Sequence, residues 1–596
     1  MQNDNKNLIA FVIVTAILVL AYQTFIIGPA AKQAEAARAR NALQPAAAAS
    51  VFTPSAPHLS HVQALALSPR LLIDTPSLAG SISLRGARID DLFLKGYGQT
   101  VDKNSPPVEL LRPEGMADAY FAEAGWLGAN LGGLPTSQSL WSAASGSILS
   151  PGHPVVLTYA APGAMTFTRR IDVDTRSMFT ITDTVANPGA APVTLTPYVS
   201  VQRQGLPPNP NKSSIVHEGA IGVLGFDKPD LKLANYKTWK KKGEIDWQST
   251  GGWLGITDKY WMTAFIPGQS EHIDAKARVT TDRATGIDIY ETTYTAGGRI
   301  IGPAGQITEV THLFAGAKTV PVLNAYKKSL GAPRFDDAVD WGILWFLTKP
   351  IFWLLEKFYG LVGNFGIAIL MLTVVIRLLT FPLANKGYEM GVKMKKIQPE
   401  LQAMQKRLKD DPAAQQKEMM ALYAREKVNP VTGCLPIFLQ IPVFYSLTKL
   451  FTVTIEMRHA PFFGWIHDLS ARDPTTIFNL FGLIPWDPST APLIGGILAG
   501  MLHVGVWPLA YGVTMGLSTS MTPQTGIDPT QQMLFKLMPI MFTFVLAQYS
   551  VGLLIYWTWS SLITIVQQYV MMRRFKVENP IDNFLARFAA KPEPTG

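Results

Sequence analysis

Five apolar runs close to bilayer-spanning length follow one another in the C-terminal part of the chain: residues 361–384, 431–451, 493–519, 534–548 and 552–572. A helix needs about 20 mostly apolar residues to cross a hydrocarbon layer of ~30 Å. Five such runs in succession predict a helical membrane bundle. Residues 8–28 add an uncharged apolar stretch near the N-terminus. It fits an uncleaved anchor better than a cleaved signal peptide, because it exceeds the usual signal core and only Lys6 precedes it as a basic side chain. Composition agrees, with 48% hydrophobic and 16% charged residues, against roughly 25% charged in a soluble domain.

Residues 29–59 are rich in Ala and Pro and predict a tether. Residues 60–332 contain no span. Short alternating runs such as Phe179-Thr-Ile-Thr, Val193-Thr-Leu-Thr and Ile287-Asp-Ile-Tyr recur there, separated by turn signals such as Asn187-Pro188-Gly189 and Gly297-Gly298. Period-two alternation with such punctuation predicts an antiparallel β-sandwich. The fold class is therefore multi-domain: six spans plus a large β-sandwich. Between the two, residues 333–357 place Phe335, Val339, Leu344, Leu347 and Ile351 near helical spacing among Trp341, Trp345 and Trp353. This predicts an amphipathic helix in the membrane interface, broken or kinked at Pro350.

Orientation follows from charge. Residues 385–430, between the second span (358–384) and the third, carry ten basic and six acidic side chains. Basic loops stay on the cytoplasmic side. Six spans then put both termini inside and the β domain outside. The tail, 573–596, opens with Arg573, Arg574 and Lys576 and agrees. Within the loop, Met390, Met394, Ile397, Leu401, Met404 and Leu408 form a helical seam. Asp410-Asp411-Pro412 ends it and a second helix follows, giving an antiparallel hairpin with a kink expected at Pro399. The spans of 431–572 complete the bundle. Ile477 to Ile484 is too short to cross and is left outside.

The net charge of +9 fits basic loops against anionic lipid, so no DNA partner is expected. A single cysteine, Cys434, rules out an internal disulfide and a cysteine-built zinc site. The chain has no Walker A loop, HExxH, GxSxG or GxGxxG motif, and the pair His467-Asp468 reads as structural. No catalytic residue, metal or cofactor is expected.

The informative residue is Arg377, inside the second span. No Asp or Glu lies within the assigned spans, so a polar guest, phosphate or water would have to solvate it. The alternative is snorkelling to the cytoplasmic interface. Thr373, Arg377 and Thr380 share a helix face, Gln440 adds an amide in the third span, and Trp557, Ser560, Ser561, Thr564, Gln567 and Gln568 form a polar stripe on the last. These residues line a candidate polar cavity, though polar faces can also simply glue helices together. Gly496-xxx-Gly500 and Gly512-xxx-Gly516 are small-residue packing motifs. The basic faces at Lys393, Lys395, Lys396, Arg573 and Arg574 would suit ribosomal RNA or a targeting factor, by counterion release. Anionic lipid alone would also account for them.

Val428-Asn-Pro-Val-Thr-Gly-Cys-Leu-Pro436, Arg458-His-Ala-Pro-Phe-Phe-Gly-Trp-Ile-His-Asp-Leu-Ser470, Asp528-Pro-Thr-Gln-Gln532 with Met538-Pro539, and Gly552-Leu-Leu-Ile-Tyr-Trp557 through Gln567-Gln568 resemble the YidC/Oxa1/Alb3 family of membrane insertases in its Gram-negative form. The resemblance covers residues 338–574 strongly and the outer domain more weakly. Tyr549-Ser550-Val551-Gly552 lacks a Pro common there, and residues 476–492 are longer than in many members. The resemblance implies an inner-membrane insertase and chaperone with a hydrophilic groove holding Arg377. It would act on nascent membrane proteins, alone or with the Sec translocon, with the ribosome a further candidate partner. It also implies that no nucleotide or covalent chemistry is used. A transporter using Arg377 as an anion site would predict repeat symmetry or broken helices in two halves, and neither is seen. A membrane-anchored sugar-binding protein would use the sandwich, which has no obvious carboxylate pair at a motif.

Overall fold

The computed structural model describes residues 59–589 apart from 130, 161–164, 209–215, 410, 429, 493, 499, 501 and 522–528. The expected anchor and tether fall almost wholly outside the described residues. The alternation of residues 60–332 becomes two sheets, of eleven and nine strands. Pairing is antiparallel apart from strand Arg70–Asp74, which runs parallel to Ile148–Leu149. Strand Met178–Asn187 buries every second side chain through Phe179, Ile181, Asp183 and Val185. It pairs with Gly305–Ala317 in a register that sets Phe179 opposite Leu313. Leu157, Phe167 and Phe179 from one sheet share a core with Ile82, Leu92 and Val201 from the other. A buried ion pair sits in this core. Arg169 grips Asp183 with two hydrogen bonds of 2.7 Å, and Trp126 of the opposite sheet donates to the same carboxylate at 2.9 Å. That extra donor ties the two sheets together across the core.

After the last strand, helix α1 (Val320–Ser329) and a 3₁₀ turn (Phe335–Ala338) lead into α2 (Trp345–Val362). Residues 333–357 are thus not one helix. Asp336 in the turn binds Lys327 at 2.9 Å and Lys349 at 2.5 Å, tying α1 to α2. Pro350 sits in the second turn of α2, which continues through it. Residues 358–362 belong to α2 and not to the next helix. Gly363, at φ 66°, ends α2 in the left-handed conformation, and Asn364 caps α3 by accepting from the Ile367 N–H.

Helix α3 (Phe365–Arg407) runs 43 residues without a break through Pro382 and Pro399. The second apolar run and the first helix of the basic hairpin are therefore one element. Helix α4 (Pro412–Arg425) returns along it, and Met394, Ile397, Leu401 and Met404 pack with Leu422 and Val428 as the spacing predicts. Next come α5 (Pro430–Val453), α6 (Val506–Met521), α7 (Pro529–Leu546), α8 (Val551–Arg574) and α9 (Pro580–Ala589). Among the described residues one helix, α3, has both the length and the apolarity to cross a membrane.

The fourth apolar run, 493–519, is not one helix. A short piece, Gly495–Leu498, is followed by turns, and α6 begins at Val506. The cause lies in buried Asp473. Its carboxylate accepts from the Trp507 backbone at 2.9 Å and from Trp465 Nε1 at 3.2 Å, while Thr475 Oγ1 accepts from Val506 N at 3.0 Å. These bonds cap α6 in its first turn. Gly505 fits against them: a Cβ there would come within 2.7 Å of the Asp473 carboxyl carbon. Gly512 packs on α7, where a Cβ would meet Thr543 Oγ1 at 2.1 Å.

Candidate functional site

Arg377 lies in the first third of α3, half-buried, and points at α8. Its Nε donates to Ser560 Oγ at 2.8 Å, and a terminal guanidinium nitrogen donates to the same oxygen. Among the described residues no carboxylate pairs with it. One turn before Ser560 the Tyr556 hydroxyl accepts from Gln440 Nε2 of α5 at 3.1 Å, and it lies within the field of Arg377. Three helices thus converge through Arg377, Ser560, Tyr556 and Gln440. Helical spacing accounts for the α8 pair, since residues four apart share a face. Tyr556 was missed in the sequence because it reads as core. Its place one turn before Ser560 was the available signal.

The other expected groove residues fall around this set unevenly. Thr373 is buried and returns its hydroxyl to the Ile369 carbonyl at 2.7 Å. Thr380 and Thr564 bond likewise to Ile376 and Ser560 carbonyls, at 2.9 and 3.0 Å. Ser561 is half-buried. Gln567 Oε1 is enclosed without a hydrogen-bond partner. Trp557 stands apart from the polar set. It stacks on Phe444 with centroids 4.9 Å apart and contacts Tyr511 and Tyr549, an aromatic cluster that packs α5, α6 and α8 together.

A guanidinium has five N–H donors, and a single serine oxygen leaves capacity for an incoming carboxylate, carbonyl or phosphate. The arrangement offers recognition and solvation and contains no nucleophile–base pair.

The basic residues of the hairpin and tail are largely engaged within the chain. Lys393 pairs with Glu389 at 2.8 Å, Lys395 donates to the Glu578 carbonyl at 2.9 Å, and Lys396 lies 5.8 Å from the Phe575 ring. Arg573 reaches Asp582 at 3.3 Å, and Arg574 is exposed. Val392 of α3 joins Met521, Ile565 and Met572 in an apolar cluster that binds this end of α3 to α6 and α8.

A second polar constellation, also missed, joins the β domain to the helices. Lys449 of α5 binds Asp340 at 2.6 Å, and Asp340 accepts from the His217 backbone at 3.0 Å. Beside it the buried ammonium of Lys318 donates to Thr257 Oγ1 at 2.9 Å and to the Asp258 carbonyl at 2.7 Å, and desolvation lowers it to about 8. Glu456, just past α5, accepts from the Val320 N–H at the start of α1 at 3.1 Å. Its Oε2 is enclosed and unpartnered, and burial raises the carboxyl to about 7.

A protein of Caulobacter vibrioides (strain NA1000 / CB15N), named membrane protein insertase YidC, is 54% identical over 616 residues, 99% of each chain. This chain belongs to the YidC family. A Bradyrhizobium diazoefficiens YidC is 44% identical over 626 residues, covering 99% of this chain and all of that one. The YidC periplasmic domain model matches residues 70–354, and the 60Kd inner membrane protein model matches residues 357–579. The boundary between the two models falls at α2, just past the last strand and α1. A crystal structure of an active YidC insertase with its first transmembrane domain resolved aligns at TM-score 0.35 and 16% identity. The alignment covers 85% of this chain and 96% of that one. The YidC relatives are named as insertases of membrane proteins.

Proposed function

We propose that this YidC-family chain moves nascent membrane proteins from the cytoplasm into the bilayer through a hydrophilic groove floored by Arg377, Ser560, Tyr556 and Gln440. The observation that carries this reading is a charged guanidinium between apolar helices, held by a serine and not by a carboxylate. An Arg there is costly unless polar matter reaches it. A groove that admits water or a guest's polar end supplies that matter. It also shortens the apolar distance the guest must cross and lowers its desolvation cost. Gln567 Oε1 is a further acceptor such a guest could satisfy.

In this reading the chain crosses the inner membrane six times with both termini cytoplasmic. The hairpin of α3 and α4 faces the cytoplasm and the β domain faces the periplasm. Clients arrive alone or from the Sec translocon, and the ribosome and anionic lipids meet the exposed basic side chains. The work is transfer, with no covalent step and no cofactor.

The test is insertion of one model client whose translocated tail varies only in charge, into vesicles holding equal amounts of folded variants. Arg377→Ala should impair acidic tails most, Arg377→Lys less, and Arg377→Glu should be worst for acidic tails. Added salt should weaken the preference, as it screens water-accessible charge. Equal losses for acidic, neutral and basic tails would show that Arg377 does not read the client and only anchors its helix.

A further inference from the structure

From residue 474 to residue 527 the chain carries one charged side chain, Asp487. Much of this stretch precedes α6 and is not helical. Its first part is a tight double turn, Ile477–Gly482, capped by Thr476 and Asn479. The cap is thorough. Asn479 Oδ1 accepts from Thr476 N at 3.1 Å and Gly482 N at 2.9 Å. The Thr476 carbonyl accepts from Asn479 and Phe481, the Asn479 carbonyl from Ile484, and Ile477 donates to Val504 at 3.0 Å. Most of the turn's N–H groups therefore bond inward.

The side chains do the opposite. Leu483 is 84% exposed, and Ile477, Leu480, Phe481, Ile484 and Trp486 are exposed with it. Leu480 and Phe481 hold φ of 47° and 59°, a left-handed conformation that bulky residues rarely adopt. A water-facing loop shows the reverse, with polar side chains outside and solvated backbone. Outward apolar groups around inward-bonded N–H groups suit a hydrocarbon neighbour.

We propose that the turn from Ile477 to Trp486 is a lipid wedge seated in the outer leaflet beside α6. The inference rests on the reading that α5 and α6 span the membrane, with this connection at their outer ends. The patch continues along the chain through exposed Ile494 to the exposed Leu509 and Val513 of α6. The stretch, with Asp487 its single charge, matches a hydrocarbon neighbour, whereas a protein interface of this kind would carry a polar rim. Trp486 follows the apolar tip as an aromatic anchor at headgroup level.

The test uses the full chain with Cys434→Ser, reconstituted in phosphatidylethanolamine–phosphatidylglycerol vesicles. Nitroxide labels are placed singly at Leu483→Cys, Trp486→Cys, Val513→Cys and Lys241→Cys. Collision with oxygen, which partitions into lipid, is compared with collision with a water-soluble nickel chelate. The Leu483 and Val513 labels should both give an oxygen-to-nickel ratio several-fold above that at Lys241, with Trp486 between. If Leu483 matched Lys241 while Val513 reported lipid, the wedge would be refuted and the spanning helices would stand. If Val513 also matched Lys241, the spanning reading would fail and take the wedge with it. A Leu483 label shielded from both reagents would mean that protein, a second copy or a partner, covers the turn, and that too overturns the proposal.

Discussion

Replacing Glu456 with Gln should remove a pH dependence from the stability of the joint between the β domain and the helices. Glu456 Oε1 takes the Val320 N–H, but Oε2 is enclosed without a partner, and burial raises the group from 4.5 to about 7. A folded-state value above the unfolded one means that the folded protein binds more protons between pH 4.5 and pH 7. Stability from this group is therefore full below pH 4.5 and is lost as pH rises through 7. A rise of that size is worth about 3 kcal/mol. Tyr97 and Glu356 lie within reach of its charge and shape the background. His217, pushed below 6.5 by burial, acts in the opposite sense and loses stability as pH falls. The difference between parent and Glu456→Gln isolates the carboxyl, because Gln keeps the acceptor for Val320. Thermal unfolding followed by tryptophan fluorescence in lipid nanodiscs, from pH 5 to 8, should show the parent losing stability relative to the variant. A constant difference across that range would refute the assignment of a neutral, buried Glu456 in the folded state.

Asp183→Ala should strip buried Arg169 and Trp126 of their shared acceptor and cost about 3–5 kcal/mol, measured by denaturant unfolding of the sandwich. Gly512→Ala should force α6 off α7 against Thr543 Oγ1 and lower the melting temperature of the reconstituted protein. Adding Thr543→Ala should restore part of that loss, and simple additivity in the double-mutant cycle would contradict the contact.

Elements with strict local periodicity were legible in the sequence. The strand around Phe179 showed its alternation, and the α3–α4 seam showed its 4-3 spacing, because burial there depends on neighbours a few residues away. Hydropathy over-read residues 493–519, since it averages across Gly500 and Gly505 and cannot see that Asp473, 34 positions from Trp507, starts the helix later. It also drew a boundary at Asn385 where the chain simply continues as helix. Arg377 stood out as a charge among apolar residues, but its partner Ser560 lies 183 positions away. Ser560 was picked from the polar stripe without that link. Trp557 belonged to the same stripe by spacing, yet its ring packs sideways between helices. Lys449 and Asp340, 109 positions apart, carried no local signal at all.

The unbroken α3 has a mechanical consequence. At 43 residues it is ~65 Å long, about twice the thickness of a bilayer's hydrocarbon layer. Arg377 sits on the same continuous helix as Lys393 and Leu401 of the hairpin, with Pro382 and Pro399 inside it. Torque applied to the hairpin by anything that docks there would reach the guanidinium through this helix, less whatever bending the two prolines absorb. The hydrogen bond to Ser560 is where such a movement would meet α8 at the guanidinium.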